Sequence, residues 1–278
     1  MSNTEHSWFS PSAAHRTIRC PGSVKASADI PDNSNSDAEK GTQCHHAMEE
    51  SVVLGMPMWS EDMFTDPDSQ MDLCQTAWDA LNGFFEDHRP DIIRPESQVN
   101  LAAYGYADIF GTADIIASSE GKKTIYVIDF KFGYNPVEAK NNDQLMMYGL
   151  AAASEYPDAE AVMMVVIQPQ ESKDPKTYTM TVDELEKWFH DTAEPAIVEA
   201  QSDNPSFHPG EIQCKYCPVA KQGCKYRSEE HTSELQSHSD LVCRLRLEKK
   251  KKKQEDINGQ EATEQRSRST PTRPGRRR

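Results

Sequence analysis

Residues 105–150 read GYADIFGTADIIASSEGKKTIYVIDFKFGYNPVEAKNNDQLMMYGL, and the pattern of this stretch decides the fold. Two runs rich in β-branched and aromatic residues, 109–117 and 124–130, flank the turn-prone Ser118-Ser119-Glu120-Gly121, which is the signature of a hairpin. Each run delivers an acid, Asp114 in the first and Asp129 near the end of the second. Because side chains alternate across a strand, Asp129 and Lys131 share a face and present a carboxylate beside an ammonium. Charge inside an otherwise apolar strand is costly to bury unless it is paired or binds a metal. Further along, Gln144 and Tyr148 stand at i and i+4 of an expected helix over 138–154, hence on one face.

Two carboxylates from neighbouring strands can hold Mg²⁺ against a phosphate, and a lysine beside them can orient or deprotonate the attacking water. The set Asp, Asp-x-Lys, Gln-x-x-x-Tyr resembles the PD-(D/E)XK nuclease superfamily, within it the branch shared by the RecB nuclease domain and the four-cysteine CRISPR-adaptation nucleases. GTAD at 111–114 matches that branch's GxxD, Asp129-Phe130-Lys131 its (D/E)xK, and QLMMY at 144–148 its QxxxY. A lone D-x-K carries almost no information, whereas three motifs in the right order carry much more. The resemblance implies an α/β fold, a restriction-endonuclease-like mixed sheet flanked by helices. It also implies that Asp114 and Asp129 hold one or two Mg²⁺ or Mn²⁺ ions, with the Phe130 backbone carbonyl as an extra ligand. Lys131 would then position the water, and Gln144 and Tyr148 would contact the nucleic-acid backbone or brace the lysine.

Outward toward the N-terminus, residues 94–101 read as the first strand of the sheet, carrying Glu96 as an exposed acid or an accessory ligand. Residues 71–88 have apolar side chains at helical intervals, and that stripe is core. Residues 61–70 look like an acidic loop. A helix is expected over 38–54, and in it GTQCHHAMEE places His45 four residues before Glu49. This matches the branch's G-T-x-x-H-x-x-x-E, which implies that His45 completes the metal site; His46, one step round the helix, fits less well. Cys44 and Cys74 match no ligand spacing and read as ordinary thiols. Ser10-Pro11 is a good helix-starting pair, so SPSAAHRTIRCPGS reads as a short helix stopped at Pro21-Gly22.

Outward toward the C-terminus come a buried-looking strand over 161–167, a second over 177–181 and an amphipathic helix over 183–201. CKYCPVAKQGCKY then gives Cys214-x₂-Cys217-x₆-Cys224, a spacing that lets three thiolates converge and leaves a tetrahedral site one ligand short. The branch opens with a small helix ending in Cys-Pro, so the resemblance makes Cys20 the fourth. It implies a [4Fe–4S] cluster joining the two ends of the domain; Zn²⁺ suits four cysteines as well. Phe132 and Tyr134 lie beside the site, where they could stack on unpaired bases or serve as core and cleft wall. Over residues 7–226 the chain looks most like the phage-associated domain-of-unknown-function family 2800. That resemblance implies a place in phage DNA replication or recombination, with the proteins of those processes as partners; DNA as the substrate is what the nuclease-superfamily resemblance implies.

The formal net charge is −15, and the residues through Tyr226 hold 16 Lys+Arg against 36 Asp+Glu. A chain this acidic attracts a polyanion only through a local basic or metal-filled cleft. Seven cysteines without a basic and then apolar leader point to reduced thiols or metal ligands and to a cytoplasmic protein, and no apolar run is long enough to cross a bilayer. At residue 227 the composition changes. RSEEHTSELQSH, 227–238, resembles the in-frame translation of a sequencing-library adaptor, and a low-complexity basic run follows to residue 278. The expected organisation is a nuclease-like domain over 1–226 and a non-native or disordered tail over 227–278, so neither Cys243 nor the lysines at 249–253 enter the site. Two other functions fit the same residues: a catalytically silent DNA-binding or scaffold protein, and a zinc-stabilised interaction module.

Overall fold

The computed structural model describes residues 7–31, 36–119, 121 and 123–227. The chain divides into two units, Met1–Tyr226 and Arg227–Arg278, and everything below concerns the first. The readings of the adaptor-like segment, Cys243 and the lysine run lie outside the described residues.

The unit is built on one five-stranded sheet whose strands follow chain order in space: β1 (Ile92–Leu101), β2 (Tyr106–Ser118), β3 (Thr124–Phe130), β4 (Ala161–Ile167) and β5 (Lys176–Thr181). The pairs β1–β2, β2–β3 and β4–β5 are antiparallel, and β3–β4 is parallel. Burial follows this order. The central strands β3 and β4 are buried along almost their whole length, as near-continuous apolar runs should be when both faces are covered. The edge strand β5 alternates, and β1 carries Pro95, which a central strand would not tolerate.

A parallel pair needs a crossover, and here α5 (Asp143–Ala153) supplies it. It lies on one face of the sheet with α6 (Val182–Trp188) and α7 (Glu194–Gln201), in a core that includes Ile125, Val127, Leu145, Leu150, Phe189 and Ile197. The other face is covered by α3 (Ser36–Leu54) and α4 (Pro67–His88) over Ile115, Tyr126, Ile128 and Phe130. Each such fully buried aliphatic or aromatic side chain contributes about 1.5–3 kcal/mol. The mixed α/β architecture is the expected one.

Several boundaries differ from the sequence reading. The chain at Pro21-Gly22 is no stop: α1 (Ala14–Thr17) ends earlier, and Gly22 opens α2 (Gly22–Ser27). Pro21 lacks an N–H, so it stands where a helix start has no need of one. For the same reason the acidic loop over 61–70 is cut short, because Pro67 begins α4. The crossover helix begins at Asp143 and not at 138, since Asn141 adopts φ +56° and Asn142 caps the helix by accepting from Leu145 N–H. The expected helix over 183–201 is interrupted by a π turn at Phe189–Ala193. Pro195 explains it, because it cannot donate to residue 191 and its ring crowds that carbonyl. The Thr181–Glu184 capping box fixes the start of α6. Two short helices close the unit, α8 (Glu211–Cys214) and α9 (Pro218–Lys221).

Candidate active site

The hairpin places its two acids at the C-terminal end of β3, where the ladder opens toward the crossover. Asp114 comes from β2, and its Oδ2 accepts the Phe130 N–H at 2.7 Å, pinning the acid of one strand to the backbone of the next. Asp129 is 3% exposed. Its Oδ1 accepts from Gln144 Nε2 at 3.1 Å, and its Oδ2 lies 2.6 Å from Lys131 Nζ as an ion pair that misses hydrogen-bond angles. Lys131 Nζ also donates to Gln144 Oε1 at 3.3 Å, so one amide spans both charges. Lys131 N–H donates to Ile167 O at 2.9 Å, which fixes the lysine at the strand end.

His45 approaches from α3. Its Nδ1 is 3.4 Å from Asp114 Oδ2, and its ring meets Phe132 edge-on at 5.2 Å between centroids. Partial burial beside these rings lowers its pKa to about 4, with Asp129 and a hydrogen bond to the Phe130 backbone opposing and Lys131 adding to the effect, which favours the neutral imidazole that a cation can bind. Burial and then the Asp129 charge hold Asp114 well above the usual carboxylate range. Lys131 is raised although burial opposes its charge, because Asp129 and Asp114 outweigh that loss. Tyr148 is buried beside Gln144, and burial raises its phenol.

Thus His45, Asp114, Asp129, Lys131, Gln144 and Tyr148 come together, whereas His46 lies on the surface within 3.6 Å of Glu49 and Glu50. The excess negative charge that raises Asp114 and the hard-oxygen and imidazole donor set fit Mg²⁺ or Mn²⁺. As placed, Lys131 holds the position beside Asp129 that such an ion would share. Among the described residues no three His, Cys, Asp or Glu side chains are drawn close enough to hold an ion.

Several contributions rest on tertiary contacts that the sequence did not disclose. Gly111 of the GTAD motif has no room for a side chain: a Cβ there would stand 2.9 Å from Tyr148 Cε1 and 3.2 Å from Pro11. The β1–β2 register sets Glu96 across from Asp114, at φ +42°, so this exposed acid leaves regular strand geometry beside the site. Its expected exposure holds; its kinked backbone had no signal in the sequence. Arg19 pairs with the buried Asp143 and ties α1 to the start of α5. Buried Gln168 donates to Gly133 O at 2.7 Å and Asn135 O at 2.8 Å and accepts the Val137 N–H at 2.9 Å, shaping the loop that follows Lys131.

Cys20, Cys214, Cys217 and Cys224 line one small cavity between the two ends of the unit, with Phe207 and Tyr226. His208 N–H donates to Cys20 Sγ at 3.3 Å and Gly210 N–H to Cys214 Sγ at 3.4 Å. Four thiols on one cavity suit a [4Fe–4S] cluster or Zn²⁺ in donor type. Cys44 and Cys74 are buried between α3 and α4, apart from this group.

The mixed sheet thus gathers His, two Asp, Lys and Gln at the end of its parallel pair, the arrangement expected from the PD-(D/E)XK resemblance. The chain belongs to the family described as "Protein of unknown function (DUF2800)", whose model matches residues 6–259. Among solved structures it is similar to a candidate exonuclease from Eubacterium rectale (10% identity, 81% of this chain and 91% of that one, TM-score 0.48). It is also similar to SSO0001 (17%, 77% and 86%, 0.35) and to LHK-Exo in complex with dAMP (9%, 70% and 91%, 0.33), an alkaline exonuclease of Laribacter hongkongensis. No helix among the described residues is long and apolar enough to cross a membrane.

Proposed function

We propose that this protein is a divalent-metal-dependent deoxyribonuclease that works from DNA ends. The observation that carries the reading is the convergence of Asp114, Asp129, His45 and Lys131, with Gln144 bonded to both Asp129 and Lys131. Asp114, Asp129, His45 and the Phe130 carbonyl would hold Mg²⁺ or Mn²⁺. Bound there, the ion supplies Lewis-acid polarisation of a phosphoryl oxygen and a more acidic water.

The remaining steps belong to the chain itself. Lys131, kept charged by the two acids, orients the attacking water and neutralises charge that builds on the phosphate. Gln144 holds Lys131 and Asp129 in register, so neither has to be ordered when substrate arrives. Buried, protonated Tyr148 braces Gln144. The action on ends is inferred from the absence of any base-reading element among the described residues, together with the superfamily resemblance. The resemblance likewise supports a role in phage or prophage DNA replication or recombination. The cysteine cavity would hold a [4Fe–4S] cluster, or Zn²⁺ in its place, as a structural tie.

The test is digestion of end-labelled linear and closed circular DNA in Mn²⁺ by the wild type and Asp129→Asn. The expected result is loss of linear DNA only, slowed by at least about 10³-fold in the variant, the scale on which a group acting on transition-state charge counts. Equal degradation by both proteins, or none by either, leaves a DNA-binding or scaffold protein of this fold.

A further inference from the structure

The triplet Cys-Lys-Tyr occurs twice near the end of the unit, at 214–216 and 224–226. In each copy the lysine lies over the ring of the tyrosine that follows it, Lys215 Nζ at 5.3 Å from the Tyr216 centroid and Lys225 Nζ at 4.9 Å from that of Tyr226. Tyr216 is 51% exposed and Tyr226 44%. Residues 212–226 contain three lysines and no acid, in a unit otherwise dominated by Asp and Glu. Such a run supplies positive charge of the kind an acidic protein needs locally in order to approach a polyanion.

That surface is fastened to the loop leaving the active site. Asn135 Nδ2 donates to Tyr216 OH at 2.8 Å. One residue earlier Tyr134 stands 75% exposed, only three residues beyond Lys131 and therefore within about 10 Å of it along the chain. Phe132, the other aromatic here, is buried and stacks on Phe130, so it is wall and not platform. The loop is held from beneath by the three hydrogen bonds of buried Gln168. Singly exposed tyrosines are ordinary. Here two exposed tyrosines are linked through Asn135, one with a lysine over its ring and the other three residues beyond Lys131.

We infer that Tyr134 and Tyr216, with Lys215, form a ledge that stacks the unpaired bases of single-stranded DNA and leads the strand into the site. The inference rests on the nuclease reading for the polymer and adds the state of the strand. A base in a duplex has its faces covered by its neighbours and cannot use the ledge, whereas an unpaired base can, whatever its sequence. Lys215, 5.3 Å from the Tyr216 ring centroid, adds a positive charge that a nucleic-acid phosphate would pair with.

The test uses the full chain in Ca²⁺, so that binding is read without hydrolysis, by fluorescence anisotropy on labelled oligo(dT) and on a blunt hairpin duplex with the same number of phosphates. Tyr134→Ala and Tyr216→Ala are each expected to weaken oligo(dT) binding about tenfold, the scale of one lost base–aromatic stack, while duplex binding changes less than about twofold. Tyr134→Trp, which keeps a ring, retains the preference. Unchanged oligo(dT) binding in Tyr134→Ala, or an equal loss on both DNAs, overturns the ledge. Thermal unfolding monitors folding; should Tyr216→Ala not fold, the Tyr134 pair decides alone. Failure of the nuclease reading appears separately, as wild type and Asp129→Asn equally inert in Mn²⁺, and leaves the Ca²⁺ binding ratio readable.

Discussion

Gly111 shows how a motif residue with no functional group can set an active site. The GTAD match made it visible in the sequence, but its reason is tertiary: the Tyr148 ring and Pro11 lie where its side chain would be. Gly111→Ala forces either the ring or Pro11 to move, an overpacking cost of about 1–3 kcal/mol. The expected outcome is a melting temperature lower by about 2–10 °C and a nuclease rate that falls with it, because Tyr148 braces the amide that holds Lys131. Differential scanning fluorimetry beside the DNA assay reads both; an unchanged midpoint would mean that the ring yields freely. At this scale the sequence was most legible where periodicity and motif agreed: Asp114, Asp129, Lys131, Gln144 and His45 all meet. It was silent where a role depends on a distant backbone. Nothing around Gln168 announces that it caps three backbone groups 31 to 35 residues away. Nor does RPESQ reveal that Glu96 turns to positive φ across from Asp114.

Elements were readable in kind and less so at their ends. All five strands and the two long helices were expected from period and composition, since apolar pattern reports burial directly. The ends were misjudged where proline or an asparagine cap overrides periodicity, as at Pro67, Asn142 and the π turn before Pro195. The loop between β3 and α5 matters most among these, because it carries Lys131 out of the sheet. Its conformation depends on the buried Gln168 side chain at the end of β4. Gln168→Leu keeps the volume but removes three hydrogen bonds, each worth about 1 kcal/mol net. The loop then opens to find water, and the loss in global stability is smaller than the sum. Amide hydrogen exchange over residues 133–137 should rise by about tenfold or more while that of β3 and β4 stays unchanged. Protection retained across that loop would show that Gly133, Asn135 and Val137 hold their positions without the amide.

For the whole unit the question is what joins its two ends. Gly22 N–H donates to Ser206 O at 2.8 Å, and a Cβ on Gly22 would meet Phe207 at 2.7 Å, so α2 is pressed directly on the segment that leads to the cysteines. Cys20 arrives from one side, and Cys214, Cys217 and Cys224 from the other, on a single cavity. Without a cation the thiols themselves are a poor tie, since burial raises Cys20, and the ends are joined by the Gly22 and His208 hydrogen bonds and by packing. Converted to thiolates on a common centre they would close a loop of nearly the entire unit, and such closures stabilise chiefly by restricting the unfolded chain. The expected outcome is therefore a brown protein when purified without oxygen, with about four iron atoms per chain for a [4Fe–4S] cluster. Cys217→Ser should be colourless and should melt several degrees lower. One zinc and no iron per chain, with the same drop in melting temperature, would keep the tie and replace the cluster. An iron-free, zinc-free protein that melts as the serine variant does would reduce the four cysteines to packing, and would leave the Gly22 contact as the joint between the ends.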